Sequence, residues 1–291
     1  MTCISGASIS GASISDIKYV CVATEMKLYL PSLKELIPDL VILGLHTPWE
    51  GFITKYKLLT AYLSEIKDDT LICFIDAYDV LPTKQLAHLE SKYRAFRETN
   101  TQAKIIVGYD KVDNSLHEFA SRLIFGTVDD MRLNSGQFIG RAKDVREVID
   151  YILKQSEFQT DQIELTKYAN QFKDHVYIDV KQEFFYVKSL PLREVTVPKS
   201  VQSAAGPSTA GPAFIHANGN GFLFQFLKEE HDLLLSLPER WQHFIANLKG
   251  VIRKFIMYYV IFIRGLIPPY PRVADAVSVG WARAMGGGSK V

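Results

Sequence analysis

Leu71-Ile72-Cys73-Phe74-Ile75-Asp76-Ala77-Tyr78-Asp79-Val80 sets five consecutive apolar residues directly against two carboxylates three positions apart. An unbroken run of that kind, β-branched and aromatic in part, suits a strand buried on both faces. In an open parallel sheet, ligands bind beyond the carboxyl ends of the strands, which is where Asp76 and Asp79 fall. Two carboxylates there offer hard oxygen ligands to one divalent cation such as Mn²⁺ or Mg²⁺. Such a cation would bridge a diphosphate and stabilise its departure by Lewis-acid action. The same residues also suit a plainer task, shaping a turn and capping a helix that begins near Thr83.

Outward from this stretch the pattern repeats. Ile17 to Ala23, Leu40 to Leu45 and Lys104 to Gly108 are further short apolar runs, followed by Thr24-Glu25 after the first and by His46 to Trp49 after the second. Between them, Lys55 to Ile66 places Tyr56, Leu59, Tyr62, Leu63 and Ile66 on one helical stripe, and Thr83 to Arg97 does the same with Leu86, Leu89 and Tyr93. Strand alternating with helix predicts an α/β fold, a mostly parallel central sheet flanked by helices. Asp144 to Lys154 and Asp161 to Asn170 continue as helices. Val176 to Asp179, Phe184 to Val187 and Ala213 to His216 are expected to extend the same sheet, with no break that marks a second domain.

The 291 residues are 47% hydrophobic and 22% charged, which excludes disorder as the dominant state. A formal charge of +1 gives no whole-chain field for DNA or RNA, so no nucleic-acid partner is expected. Cys3, Cys21 and Cys73 lie too far apart for a paired motif, and the last two fall in apolar runs where a thiol acts as a small hydrophobe. Residues 1–16 repeat Gly-Ala-Ser-Ile-Ser and lack a basic n-region, so a flexible leader is predicted and no secretory signal. The Ser-, Ala-, Gly- and Pro-rich stretch from Pro198 to Pro212 predicts an exposed loop.

Phe74 to Val80 resembles the aspartate motif of the glycosyltransferase domain in the procollagen lysyl hydroxylases and the related collagen glycosyltransferases. Six further matches follow the family's order: Val22-Ala23-Thr24-Glu25, Leu43-Gly44-Leu45 with Trp49, Lys55-Tyr56-Lys57, Arg132 to Gly140, Asp161-Gln162 and His216-Ala217-Asn218-Gly219. The likeness spans about residues 17 to 227. It implies a GT-A-like fold and a metal-dependent transfer of glucose or galactose from a UDP-sugar to a hydroxyl, with Mn²⁺ or Mg²⁺ as cofactor. The implied donors are UDP-glucose or UDP-galactose, and the implied acceptor is a protein or glycan, hydroxylysine or galactosyl-hydroxylysine of a collagen-like chain. A GT-A transferase acting on another glycan, or a silent partner protein of the same fold, are the alternatives.

Position by position, the resemblance implies that Asp76, Asp79 and His216 hold the metal. Thr24 and Tyr78 would contact the uridine, Lys55 the phosphates or ribose, and Gly219 would admit the diphosphate backbone. Asn134, Ser135 and Gly136 would line the sugar side. Asp161 would position the sugar or take part in transfer, and it is the candidate base. The local readings stand beside these: His216 before Asn218-Gly219 as a turn residue, Asn134 to Gly136 as a turn before a strand over Gln137 to Gly140, and Asp161 as an N-cap completed by Glu164 in a capping box. The chain departs from the family at Ala217, where glycine is usual. It also departs in the acidic run reduced to Asp161, between Tyr109 and Asp130, and in an apparent insertion over 198–212.

The likeness ends after Leu235, which predicts a glycosyltransferase domain over 17–235 and a basic extension over 236–291, with no hydroxylase domain in this length. Phe255 to Ile263 is a nine-residue apolar run among basic residues. As a helix it would reach about 14 Å against a hydrocarbon core of roughly 30 Å, too short to span. It either packs on the domain or lies at a membrane surface, a peripheral contact through 249–267. A cytoplasmic or peripherally membrane-associated protein is therefore expected. Residues 247–291 hold seven Lys and Arg against one Asp, a local charge of +6, and residues 1–246 carry −5.

Overall fold

The computed structural model describes residues 17–111, 122, 124–155, 158–189, 192–195, 211–218 and 221–265. The apolar run forms β3 (Leu71–Ile75), every residue of which is buried. It lies between β1 (Ile17–Val22) and β6 (Leu133–Arg141) in a six-stranded sheet completed by β2 (Val41–Leu43), β5 (Ile105–Tyr109) and β7 (Val176–Asp179), in the order β2-β1-β3-β6-β5-β7. Five strands run in one direction, and β6 alone is antiparallel to both of its neighbours. The predicted mostly parallel sheet flanked by helices is what forms.

One face of this sheet is covered by α2 (Ile53–Leu63), α4 (Ala142–Leu153) and α5 (Asp161–Gln171), which bury Tyr56, Leu59, Val145, Ile149 and Leu165 against Phe74 and Phe138. The other face takes α1 (Leu30–Leu36), α3 (Leu89–Thr99) and a second sheet. That sheet corrects the expectation for the second half of the chain. Only Val176–Asp179 joins the main sheet. Phe185–Val187 (β8) and Phe214–His216 (β9) instead pair with Val80–Pro82 (β4) in the order β4-β9-β8. Phe185, Val187, Phe214 and Val80 share one apolar cluster with Ile75, Ile106 and Ile139, so burial between the two sheets sets their position.

Three local predictions shift. The helix expected from Thr83 is a 3₁₀ turn over Lys84–His88 and then α3, and its cap is Thr83, whose side chain accepts from the Gln85 amide. Neither Asp76 nor Asp79 caps it. The cap of α5 is Thr160, accepting from Ile163 N, while Asp161 is the first helical residue. Asn134, Ser135 and Gly136 form no turn; they lie within β6, opposite a register irregularity between Val107 and Gly108. Cys21 and Cys73 are buried free thiols, as expected, and burial pushes Cys21 up to about 12. Cys3, Gly219, most of the 198–212 stretch and residues 266–291 lie outside the described residues.

After α6 (Phe224–His231), Ser236 and Glu239 form a reciprocal capping box that starts α7 (Leu237–Gly265). His243 on α7 is buried, its ring 4.0 Å from that of Tyr29 and 5.4 Å from that of Phe224, and Asn247 donates to the Gly221 carbonyl at 2.9 Å. Among the described residues no helix is long and apolar enough to cross a membrane.

Burial holds the His243 pKa down, to about 4, so the folded chain favours the neutral ring. The contribution is complete above the ordinary histidine range and is lost as pH falls toward 4. The first turns of α7 are expected to loosen on acidification from pH 7 to 4, seen as faster amide exchange over 237–247. His243→Phe, which keeps the ring contact, should flatten that pH response; an unchanged response would place its origin elsewhere.

Candidate active site

The strand-end carboxylates are placed by two separate ladders. The Asp76 amide donates to the Gly136 carbonyl at 2.7 Å, carrying the β3–β6 pairing one residue past the strand. Val80, next to Asp79, pairs with His216 across β4 and β9, and the Ala217 amide donates to the Asp79 carbonyl at 2.9 Å. These pairings bring Asp76, Asp79 and His216 together, with one ligating atom from each lying within 4.8 Å of the others. Ala217 is fully buried with its amide satisfied, so the methyl absent from the usual family glycine is accommodated.

His216 is held in one orientation. Its Nδ1 lies 3.2 Å from Asn134 Oδ1, which also accepts from Gly136 N at 3.0 Å. An oxygen bound by that amide is an acceptor, so Nδ1 carries a proton, and Nε2 lies 3.2 Å from Asp79 Oδ2. Nε2 is buried and makes no hydrogen bond of acceptable geometry with the described residues. Burial lowers the imidazole pKa, but Asp79 and Asp76 outweigh it and the net shift is upward. Gly136 leaves the space this cluster needs. A Cβ there would stand 2.4 Å from Asp76 Oδ2 and 2.7 Å from His216 Cε1.

Lys55, on the first turn of α2, is 4% exposed and uses all three ammonium protons: on Asp161 Oδ2 at 2.7 Å, the Ser135 carbonyl at 2.9 Å and Asp76 Oδ1 at 3.2 Å. Its Nζ also lies 4.5 Å from the centre of the Phe74 ring. Burial alone would lower its pKa, yet Asp161 and Asp76 reverse that and hold it above the ordinary lysine range. Ser135 Oγ lies 3.0 Å from Asp161 Oδ2 and 3.1 Å from Gln162 Oε1. Gln162 further accepts from Ser135 N and donates to the Leu133 carbonyl, tying α5 to β6.

Tyr78 reaches the chain just past β1, at Glu25 next to Thr24 in sequence, rather than this network. The Tyr78 hydroxyl donates to the Glu25 carbonyl at 3.1 Å, and Lys27 Nζ stands 5.3 Å over the ring. Of the residues singled out in the sequence, Asp76, Asp79, His216, Lys55, Asn134, Ser135, Gly136 and Asp161 form one connected site, with Thr24 and Tyr78 beside it. Asn134 differs in detail: its oxygen is committed to His216 and Gly136, so it serves the histidine. One pair escaped the sequence reading. Arg132 and Asp110 form a buried ion pair, Ser189 donates to Asp110 at 3.1 Å, and the Asp110 charge reaches His216. Asp110 directly follows β5, so the strand-end rule that selects Asp76 would have found it.

A family model described as the PLOD GT domain, GT denoting glycosyltransferase, matches residues 14–225, and the chain belongs to that family. It is 29% identical over 153 residues to a Caenorhabditis elegans multifunctional procollagen lysine hydroxylase and glycosyltransferase, covering 47% of this chain and 20% of that protein. Two solved structures are similar in outline. One is a glycosyltransferase involved in glycosylation of the major capsid of PBCV-1, with 11% identity, 70% of this chain and 94% of that one covered and a TM-score of 0.44. The other is the galactosyltransferase LgtC with donor and acceptor sugar analogues, with 15% identity, coverage of 77% and 99% and a TM-score of 0.42.

Breaking a buried ion pair by removing one partner costs more than replacing both. Lys55→Met is expected to destabilise the chain by about 3 kcal/mol, with Asp161→Asn in the same chain restoring much of the loss. Urea unfolding of the two single variants and the double variant measures the coupling; additive effects would show that the pair does not organise the site.

Proposed function

We propose that this glycosyltransferase-family chain transfers glucose or galactose from a UDP-sugar to a hydroxyl group, with a divalent cation held by Asp76, Asp79 and His216. The acceptor we propose is hydroxylysine or galactosyl-hydroxylysine of a collagen-like protein, and the transferase domain spans 17–235 with 236–291 as an extension. The observation that carries this reading is the buried Nε2 of His216, without a hydrogen bond of acceptable geometry, gathered with Asp76 and Asp79 in a cradle kept open by Gly136. Two carboxylates and one imidazole form a donor set that Mn²⁺ accepts. Formal charge supports it as well: Asp76 and Asp161 share the ammonium of Lys55, Asp79 adds a third carboxylate beside Asp76, and the remaining negative charge suits a dication. A cation bound there would supply Lewis-acid stabilisation of the departing UDP.

The chain's own groups do the rest in this proposal. Thr24 and Tyr78 receive the uridine, and Gly219 gives the diphosphate close access to the backbone. Lys55 fixes Asp76 and Asp161 and adds positive charge on the diphosphate side. Ser135 and Asp161 position the donor sugar, and Asp161 is the group proposed to meet the acceptor proton as C1 of the sugar leaves the UDP oxygen for the acceptor oxygen.

Hydrolysis of UDP-glucose and UDP-galactose without acceptor, followed by UDP release with and without Mn²⁺, is the direct test. Asp76→Ala with Asp79→Ala should reduce the Mn²⁺-dependent rate by at least about 100-fold. Unaltered, Mn²⁺-dependent turnover in that variant would remove the proposed site. Because an outer partner of a metal-binding histidine commonly contributes 10- to 100-fold in metal affinity, Asn134→Ala is expected to weaken Mn²⁺ binding by roughly that factor in calorimetry. Unchanged affinity would mean that Asn134 does not orient His216.

A further inference from the structure

Helix α7 has two faces of opposite character. His243 and Asn247 fasten one face to Tyr29, Phe224 and the Gly221 carbonyl. The opposite face carries Trp241, Phe244, Ile245, Ile252, Ile256 and Tyr259, which at about 3.6 residues per turn fall in one arc of roughly 120°. All six are exposed, five of them by 47–60%. Soluble monomers rarely leave a continuous apolar stripe of this length in water. Aromatic residues stand at both ends of it, Trp241 and Tyr259, and Lys249 and Arg253 are exposed along the same helix. The helix holds five Lys and Arg against one Glu, a charge of +4, while residues 1–246 carry −5.

We propose that α7 lies in the plane of an anionic lipid surface, its stripe inserted among the acyl chains and its basic residues at the headgroups. Charge decides the occupant. Two copies meeting on this stripe would set two helices of +4 side by side, whereas an anionic surface complements them. The site need not be far from that surface. Gly221, which anchors α7, follows His216 by five residues, no more than about 18 Å of extended chain. The stripe begins at Trp241, earlier than the 249–267 segment that the sequence suggested, because the first turns already expose apolar residues opposite His243.

Flotation of the full chain with phosphatidylcholine vesicles, with and without phosphatidylserine, tests the proposal. Binding to the anionic vesicles should exceed binding to neutral ones by at least about tenfold and weaken as salt is raised. Ile252→Glu with Ile256→Glu should abolish it, and Lys249→Glu with Arg253→Glu should lower it at least about tenfold. Both pairs are exposed and outside the catalytic site, so UDP-sugar hydrolysis in solution should be unchanged. That separates this proposal from the one about catalysis, since either can fail alone. Equal binding to neutral and anionic vesicles would overturn it. So would vesicle binding insensitive to both pairs, or self-association abolished by the isoleucine changes with no vesicle binding.

Discussion

A lysine ammonium buried in a protein interior must be met by acceptors on every proton, and that requirement organises this molecule. Lys55 finds its three acceptors on three different elements, the end of β3 (Asp76), β6 (the Ser135 carbonyl) and the start of α5 (Asp161), while itself belonging to α2. Four segments distant in sequence are thus held to one point at the carboxyl edge of the sheet. The cost of leaving such a charge unpaired falls on any rearrangement that separates them. Phe74 and Phe138, stacked at 4.9 Å beneath the ammonium, extend the same junction into the core.

The second organising event is the change of sheet after Asp79. β3 ends, four residues (Asp76 to Asp79) intervene, and β4 begins in another sheet whose neighbour is β9. A chain that switched later would carry Asp79 away from Asp76, and one that did not pair with β9 would leave His216 elsewhere. Gly136 completes the arrangement by absence: any side chain there would occupy the space between Asp76 and His216. The site is therefore a product of backbone pairing first and of side-chain chemistry second.

That order explains what could be seen in the sequence. The buried strands were legible because continuous apolar runs such as Leu71–Ile75 allow little else, and Asp76 and Asp79 because they stand directly at a strand end. His216 was singled out through the ordered set of family motifs rather than from its own surroundings. The pairing of β4 with β9 was not legible: three-residue strands carry no usable period, and their place is set by burial between two sheets. The cap of α5 was misplaced by one residue because Thr160 and Asp161 are both good caps. Only the demand of Lys55 for a carboxylate decides that Thr160 takes the cap and Asp161 the ion pair. The role of Asn134 was hidden for a like reason, since its partner is 82 positions away.

Charge distribution connects the two ends of the molecule. A formal +1 suggests an electrically plain protein, yet the acidic body and basic extension do not cancel one another in any local sense. Beyond a Debye length of about 8 Å, the +4 helix gives the buried carboxylates little help, and those carboxylates give it little in return. Each region must satisfy its field nearby. Inside the site that means Lys55 and the dication proposed for it; on α7, where apolar side chains and basic groups share one exposed surface, the partner proposed is both negative and greasy. The near-zero total is thus a coincidence of two separate local demands.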